Sequence, residues 1–451
     1  MVQTNPSTEE FGDTVEVLDV QASRKALVAG TLGNLIEWYE FAVYGYMAPY
    51  IATQFFASEI PGVAILSTFM VFALAFFMRP IGAIIFGRLT DRYGRRPILA
   101  TIIIMMSLAT AVIGVLPTAA QIGLLAPLLL VVARIAQGLS GGGEMGGAVS
   151  LMVENAPANR RGLYGSWSFA GTTIGFVLGG TVATILAALL PADAMADWGW
   201  RIPFLLALPM GAVALYIRLR IDETPHFKRV QRERTEVGSN AALPPSAIKL
   251  TAAYLLVTIG VLVVYNAIGN TFMVGMPTYL TTAFGLPPAS AYFLTLITGL
   301  VGGLTMPLFG LLSDRVGRWP VLATGTIATL VLSYPLYLLM GTGFAGGVVA
   351  LFVAGLLIGV VGGPMPAFLS ERFATRNRGT GVSVIYAISV AVFGGSAPYV
   401  ITWIFQITNN PYAAAIYTLL CAAISTVALL AWRFAKSERA QGDAFDRPLA
   451  D

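Results

Sequence analysis

Long apolar stretches separated by short polar segments repeat along almost the whole chain. A membrane-spanning helix needs about 20 consecutive, mostly apolar residues, and the sequence contains twelve such stretches. They lie at about 25–53, 62–88, 97–117, 122–153, 162–190, 199–220, 250–283, 288–312, 320–341, 346–370, 379–407 and 412–434. The strict alternation that marks membrane β-strands is absent from the sequence. The pattern therefore predicts an all-α integral membrane protein with twelve transmembrane helices.

The composition supports this prediction. Of the 451 residues, 56% are hydrophobic and 11% are charged, whereas soluble domains carry about 25% charged residues. Residues 1–22 are polar and acidic and lack the apolar core of a signal peptide, so we interpret them as a cytosolic tail. Cys421 and His226 are the single cysteine and histidine, which argues against a disulfide, a metal site or any other cofactor.

The basic residues predict the orientation, because Lys and Arg collect in cytosolic segments. All 27 of them except Arg79, Arg134 and Arg201 lie near the chain ends or in connections that follow even-numbered spans. This sorting predicts a multi-pass protein of the cell inner membrane with both termini in the cytosol. A nucleic-acid surface is a poor explanation of the basic pI of about 9.1, since the positive charge is divided among short loops.

An internal repeat divides the chain into two parts. GRLTDRYGRRP at 87–97 returns as GLLSDRVGRWP at 310–320, each between the second and third helices of a six-helix set. A second motif follows the first in both parts: a glutamate lies the same number of residues before an Arg-Gly pair. Such a repeat predicts two parallel six-helix bundles. The predicted units are a bundle at 23–220, a cytosolic linker at 221–247, a bundle at 248–436 and a cytosolic tail at 437–451.

Five segments form a recognisable set: GNLIEWYEFAVYG, FFMRPIGAIIFGRLTDRYGRRP, ARIAQGLSGGGEMGG, WGWRIPF and DETPHF. Together they resemble the metabolite:H⁺ symporter family of the major facilitator superfamily. The resemblance covers roughly residues 24–436 and implies the major facilitator fold. The family includes carriers of proline and betaine, of 2-oxoglutarate, of citrate and of shikimate. Its pattern usually has Asp at the position of Glu40.

Charged residues inside the spans are candidates for the transport site, because ionisable groups are costly in a membrane. At ~1.5 Å of rise per residue, the distance from the cytosolic edge is ~18 Å for Glu37, ~22 Å for Glu40, ~15 Å for Glu144 and ~30 Å for Arg134. Glu40 is thus the carboxylate nearest to Arg134 in height. The resemblance implies that these two form a proton-coupling pair, as in sugar symporters of the superfamily. Glu37 and Glu144 are further candidates for proton coupling, and a purely structural ion pair is the alternative interpretation.

Other side chains are candidates for substrate binding or are more simply explained by packing. Arg79 is expected to snorkel or to bond to carbonyls, and Arg201 with Trp198 and Trp200 to anchor a helix end at the interface. The glycine run at 141–143 is expected to allow close helix packing. The candidates for substrate binding are Arg134, Gln137, Trp38, Tyr44, Trp167, Tyr265, Asn266, Asn270 and Tyr386. For any single aromatic residue among them, packing is the alternative.

The repeated loops suggest a cytosolic gate that closes in one transport state. Asp91 and Asp314 are each expected to meet the N-terminus of a helix in the other half, since helix N-termini attract anions. The candidate gate residues are Asp91, Arg92, Arg95, Glu154, Arg161, Asp314, Arg315, Arg318, Glu371 and Arg378.

A secondary transporter is therefore the favoured class. The sequence lacks the catalytic groups of a membrane enzyme and the nucleotide-binding loop of an ATP-driven pump. The two-half repeat with asymmetric intramembrane charge favours alternating access over a channel, so a membrane enzyme or a channel is a remote alternative. Few deep cationic groups favour a zwitterion such as betaine or proline, carried with a proton. A di- or tricarboxylate such as 2-oxoglutarate or citrate, or another organic acid, is the alternative. The expected partners are the substrate, the proton and the lipid bilayer, with the monomer as the functional unit.

Overall fold

The computed structural model describes residues 20–56, 58, 60, 62–93, 95–142, 144–157, 159–220, 252–373 and 378–439. At some of these positions the side chain lies outside the description, as it does for Asp91, Arg92, Arg95 and Glu144. The predicted linker and most of the two predicted tails also lie outside the described residues.

Twelve helical spans, labelled α1 to α12, follow one another along the described residues, and no strand occurs among them. The uninterrupted spans are α1 Val20–Tyr46, α2 Val63–Tyr93, α3 Arg95–Val115, α5 Arg161–Leu189, α8 Pro288–Val316, α9 Arg318–Met340 and α12 Ala415–Arg439. The interrupted ones are α4 Leu125–Ser140 with Glu144–Glu154, α6 Ile202–Leu205 with Ala207–Arg220, α7 Ala252–Asn270 with Thr271–Gly275 and Met276–Thr282, α10 Phe344–Gly362 with Met365–Ser370, and α11 Arg378–Ser389 with Val390–Gly395 and Ala397–Thr408. Short helical segments occur at Ala48–Phe55, Ala119–Ile122, Ala192–Asp197 and Gly199–Arg201.

Eleven of the described spans are long and apolar enough to cross a membrane. α1 is the twelfth span, and it differs from the others because its inner stretch carries Asn34, Glu37 and Glu40. All three side chains are buried among other helices. α1 therefore contributes polar groups to the interior of the bundle, where they avoid lipid.

Two spans contain π-helical turns, which the sequence pattern did not predict. These turns are Thr271–Gly275 in α7 and Val390–Gly395 in α11. Pro277 lies two residues after the first turn, and Pro398 lies three residues after the second. A proline has no N–H for the carbonyl four residues earlier, and that carbonyl falls inside the π-helical turn in both spans. π-helical turns are rare and frequent at functional sites.

The backbones of α2 and α4 touch, which confirms the packing interpretation of the glycines in this region. A Cβ atom on Gly82 would lie 1.9 Å from the carbonyl oxygen of Leu139. A Cβ atom on Gly142 would lie 2.1 Å from the carbonyl oxygen of Arg79. Only glycine fits such contacts. They hold the helix that carries Arg79 directly against the helix that carries Arg134.

We call the helices up to Arg220 the N-terminal half and those from Ala252 the C-terminal half. The halves meet where α5 packs against α8 and where α2 packs against α11, including its π-helical turn. α1 packs against α5 within the N-terminal half and also contacts α7. The charged side chains of α1 and α2 thus lie close to the junction between the halves.

Candidate transport site

A buried ion pair joins α1 to α2. The Nη2 atom of Arg79 lies 2.8 Å from the Oε1 atom of Glu37, and the two side chains are 1% and 2% exposed. The expectation that Arg79 snorkels to the interface was wrong. The proline after Arg79 and its position in the inner half of α2 suggested the interface, but the close approach of α4 encloses this part of the helix.

Aromatic rings surround this pair. The Cζ atom of Arg79 lies 4.4 Å from the centroid of the Phe41 ring, 4.8 Å from that of Phe76 and 4.9 Å from that of Trp38. Within the described structure, the Nε atom of Arg79 and the Nε1 atom of Trp38 are buried donors without a hydrogen-bond partner. The site therefore combines a compensated charge pair, cation-attracting ring faces and donors available to a ligand.

Glu40 lies in a second polar cluster, between α1 and α3. Its carboxylate accepts a hydrogen bond from Ser107 Oγ at 2.7 Å and another from the hydroxyl of Thr110. The residue is 1% exposed. The Thr110 hydroxyl has a second acceptor within reach, the carbonyl oxygen of Met106 at 2.9 Å. Because a hydroxyl has one hydrogen, it serves only one of these acceptors at a time.

Arg134 is connected to Glu40 by a relay of two side chains. Arg134 Nη1 donates to Gln137 Oε1 at 2.8 Å, and Gln137 Nε2 donates to Thr110 Oγ1 at 2.5 Å. Arg134 Nη2 donates to the carbonyl oxygen of Phe72 at 3.2 Å. The two residues that the family resemblance implies as a proton-coupling pair are therefore connected by a directional chain of donors. Ser107 and Thr110 were missed because a serine and a threonine in an apolar helix carry no distinctive sequence signal.

Arg134 also contacts rings. Its Cζ atom lies 4.2 Å from the centroid of the Tyr44 ring and 5.2 Å from that of Phe72. Tyr44 in turn donates from its hydroxyl to the carbonyl oxygen of Thr68 at 3.1 Å. Glu144 begins the second segment of α4, but its side chain lies outside the described residues.

Aromatic side chains of the C-terminal half contact the N-terminal half across the junction. Tyr265 of α7 stacks on Phe169 of α5 with 4.5 Å between ring centroids. Tyr386 of α11 lies 5.7 Å from the same Phe169 ring. Two of the candidate binding residues thus meet at one ring of the N-terminal half. Phe169 was missed because its neighbours in sequence gave no reason to select it.

The remaining candidate binding residues lie elsewhere. Asn266 donates to the Ser389 hydroxyl at 3.0 Å, and Asn270 donates to the carbonyl oxygen of Asn266 at 3.0 Å. The first contact ties α7 to α11 just before their π-helical turns, and the second lies within α7. Trp167 is partly buried against the apolar core.

Arg201, which was expected to anchor a helix end at the interface, bonds to backbone carbonyl groups at the end of α3. It donates to the carbonyl oxygens of Gly114 and Leu116 at 3.0 and 2.7 Å. Of the neighbouring tryptophans, Trp198 is exposed, as expected for an interfacial anchor, whereas Trp200 is fully buried.

Charged side chains bridge the halves at the end of the bundle where α5 begins and α8 ends, which we call the basic end. Asp314 accepts hydrogen bonds from the backbone N–H groups of Gly162 and Leu163 at 2.7 and 2.9 Å. Glu154 of the N-terminal half lies 3.0 Å from Arg378 of the C-terminal half. The contact expected between Asp314 and a helix N-terminus is therefore present.

Arg318 strengthens this cluster from within the C-terminal half. It pairs with Asp314 at 2.6 Å and with Glu371 at 3.0 Å. Arg161 and Arg315 lie beside the cluster and are exposed. The side chains of Asp91, Arg92 and Arg95, from the first copy of the loop motif, lie outside the described residues.

Uncharged contacts bridge the halves at the opposite end. The hydroxyl of Tyr292 donates to the carbonyl oxygen of Tyr46 at 3.1 Å, and the two rings meet edge to face. Gln406 Nε2 donates to the carbonyl oxygen of Gly62 at 3.0 Å. The two ends thus use different chemistry: ion pairs at one and aromatic and amide contacts at the other.

A bundle of membrane helices with buried charge networks at the junction of two halves is the architecture of a multi-pass membrane transporter. The chain belongs to the Major Facilitator Superfamily, whose sequence model matches residues 30–398 and again 257–445.

Relatives of known name are similar over most of their length. The ectoine/proline transporter ProP of Corynebacterium glutamicum is 37% identical over 93% of this chain and 85% of its own. The glycine betaine/proline/ectoine/pipecolic acid transporter OusA of Dickeya dadantii is 36% identical over 91% of this chain and 83% of its own. The proline/betaine transporter of Escherichia coli K12 is 34% identical over 92% and 84%.

Solved structures share the fold at lower identity. A D-xylose-proton symporter superposes with a TM-score of 0.69 at 20% identity, covering 90% of this chain and 96% of that one. The proton:xylose symporter XylE bound to 6-bromo-6-deoxy-D-glucose gives 0.73 at 17% identity, covering 92% and 96%. These likenesses support the predicted fold.

Proposed function

We propose that the protein is a proton-coupled symporter that imports a small zwitterion such as glycine betaine or proline. The named substrates of the similar transporters are ectoine, proline, glycine betaine and pipecolic acid. All of these compounds combine one carboxylate with one cationic nitrogen centre at short range. The ion pair of Glu37 and Arg79 inside its aromatic rings is the observation that carries this proposal.

The pair suits both ends of a zwitterion. A substrate carboxylate binds the Arg79 guanidinium, whose Nε donor has no hydrogen-bond partner among the described residues. The Nε1 donor of Trp38 lies beside it. The cationic end of the substrate is attracted to the Glu37 carboxylate and to the faces of Trp38 and Phe76. Zwitterion and ion pair are each neutral overall, so binding adds no net charge to the membrane interior.

A di- or tricarboxylate fits the described residues less well. Each added carboxylate needs its own buried cation. Glu37 compensates the charge of Arg79, the relay links Arg134 to Glu40, and Arg201 bonds to carbonyl groups. Three arginines are therefore already engaged, which favours a substrate that brings its own positive charge.

Glu40 is the proposed proton carrier. When Glu40 is ionised, the Thr110 hydroxyl donates to it and completes the chain from Arg134. When Glu40 is protonated, its own O–H can donate to Thr110 while the Thr110 hydrogen turns to the Met106 carbonyl. Protonation thus removes the anion on which the chain from Arg134 ends, without requiring a new buried charge.

Alternating access then opens the two ends in turn. We propose that the basic end faces the cytosol, that both termini are cytosolic and that the membrane is the bacterial inner membrane. The rocking units are the bundles 23–220 and 248–436, joined by the linker 221–247, with a monomer as the working unit. The ion pairs of the basic end hold it closed while the opposite end opens.

Competition in proteoliposomes tests the proposal. Labelled glycine betaine or proline should accumulate under an imposed inward proton gradient without any nucleotide. Excess unlabelled zwitterion should suppress this uptake, whereas citrate and 2-oxoglutarate should leave it unchanged. Suppression by the dicarboxylates alone, or accumulation that ignores the proton gradient, would overturn it.

A further inference from the structure

The ring of Phe41 contacts both buried arginines. The Cζ atom of Arg79 lies 4.4 Å from its centroid and that of Arg134 lies 5.3 Å from it. Phe41 is fully buried. Of the rings that lie over these arginines in the described structure, Phe41 is common to both.

The two arginines belong to different networks. Arg79 pairs directly with Glu37, whereas Arg134 reaches Glu40 through Gln137 and Thr110. Phe41 follows Glu40 directly in sequence. It also lies one helical turn beyond Glu37, on the same face of α1. Its ring thus stands between the proposed substrate site and the proposed proton site.

A shared ring makes the two cations interdependent. The negative face of an aromatic ring attracts a guanidinium, and two cations over one ring compete for the same electron density. The guanidinium groups also repel each other, since they are held within about 10 Å in a low-dielectric interior. Any change that draws one arginine away from the ring therefore strengthens the contact between the ring and the other arginine.

We propose that Phe41 is a positioning residue that couples substrate binding at Arg79 to protonation of Glu40. A substrate carboxylate pulls Arg79 toward itself and frees the ring for Arg134. Protonation of Glu40 removes the anion on which the relay from Arg134 ends. Arg134 can then move onto the face of the Phe41 ring that Arg79 has left. Each event thus favours the other, and such a linkage is reciprocal. This inference rests on the proposed function and adds the residue that transmits the coupling.

Several titratable or charged groups belong to the two arginine networks or face them across the junction, and they share any pH response. Among the described residues they are Glu37, Glu40 and Tyr44 on α1, Arg79 on α2, Arg134 on α4 and Tyr386 on α11. A test must therefore distinguish the effect of the Phe41 ring on pH-dependent binding from the effect of the titratable groups. This is possible because the ring itself does not titrate.

The experiment measures the Kd of glycine betaine for the purified protein at a mildly acidic and a mildly alkaline pH. In the wild type, affinity should rise on acidification. In Phe41→Leu, the ratio of the two Kd values should shrink by about three- to tenfold, the range expected when a cation–π contact is lost. Phe55→Leu is the matched control, since this buried ring packs edge-on against Trp200 and should keep the wild-type ratio.

A second variant guards against misfolding. Trifluorinated phenylalanine at position 41 keeps the shape of the ring and removes most of the negative charge on its face, so it should reduce the ratio in the same way. A wild-type ratio in both folded variants would overturn the inference. If the wild type itself neither binds nor transports zwitterions, the proposed function fails instead, and the two failures are thereby distinguished.

Discussion

Arg79 of α2 and Glu37 of α1 form an ion pair at 2.8 Å, with both side chains almost completely enclosed. Desolvation offsets much of the attraction in such a pair, so it contributes little net stability. Breaking it is costly, because the remaining partner keeps an uncompensated charge in an apolar setting. Removing both charges together should therefore cost less stability than removing one, which allows the role in transport to be tested separately from stability.

Arg79→Gln should destabilise the protein by about 3–5 kcal/mol, because it removes the cation that lies 2.8 Å from the buried Glu37 carboxylate. Glu37→Gln combined with Arg79→Gln should recover most of that stability and still abolish zwitterion uptake. Unfolding measurements in detergent and uptake in proteoliposomes test this. A double variant that transports normally would show that the pair is only structural.

Glu40→Gln should abolish accumulation of substrate against its gradient, since glutamine cannot carry the proton. Exchange of labelled for unlabelled substrate across the membrane should persist, because it needs no net proton movement. Glu40→Asp is the matched control, as it retains a carboxylate and matches the residue usual in the family pattern. Uptake by Glu40→Gln at the wild-type rate against a gradient would exclude Glu40 as the coupling residue.

Asp314→Asn should favour opening of the basic end. The change weakens charged hydrogen bonds to Gly162 and Leu163, which are worth about 1.5–3 kcal/mol each, and removes the ion pair with Arg318. A cysteine at Ser383 reports the opening, since Ser383 is buried against Gly146.

Labelling of Ser383→Cys should accelerate in Asp314→Asn, measured in a Cys421→Ser background that removes the native thiol. Asp193→Asn is the control, because Asp193 lies in the short helix between α5 and α6 at the opposite end. Equal labelling rates in the two variants would contradict the gate.

A reporter fused after residue 235 should lie in the cytosol, because the basic residues cluster in segments on that side. A second reporter, placed in the helix Ala192–Asp197, should lie on the opposite side of the membrane. Enzymatic reporters that are active on only one side distinguish the two positions. The reverse pattern would invert the proposed orientation.

Gly82→Ala should destabilise the bundle, since the added Cβ would lie 1.9 Å from the Leu139 carbonyl oxygen and force α2 and α4 apart. Gly87→Ala in the same helix should be neutral or stabilising by up to about 1 kcal/mol, because its Cβ meets open space and alanine favours the helix. Thermal unfolding of the two variants checks this. Equal stability would show that α2 and α4 are not in backbone contact.

The sequence alone determined the properties that depend on local composition. The spans follow from the thickness of the membrane, and the repeated loop motif predicted a contact between Asp314 and a helix N-terminus that the structure contains. Height along a helix is also a local quantity, which is why Glu40 was correctly associated with the region of Arg134.

Only the tertiary structure decided which charged group meets which. Glu37 and Glu40 are three residues apart, and their partners depend on how α1 is rotated against α2, α3 and α4. That rotation is set by close backbone contacts between helices distant in sequence, such as the one at Gly82. It placed Arg79 against Glu37, inserted Thr110 and Gln137 between Glu40 and Arg134, and put Phe41 beside both arginines. The hydrophobic pattern along a helix does not predict these contacts, because they arise from packing between helices and not from the pattern within any one of them.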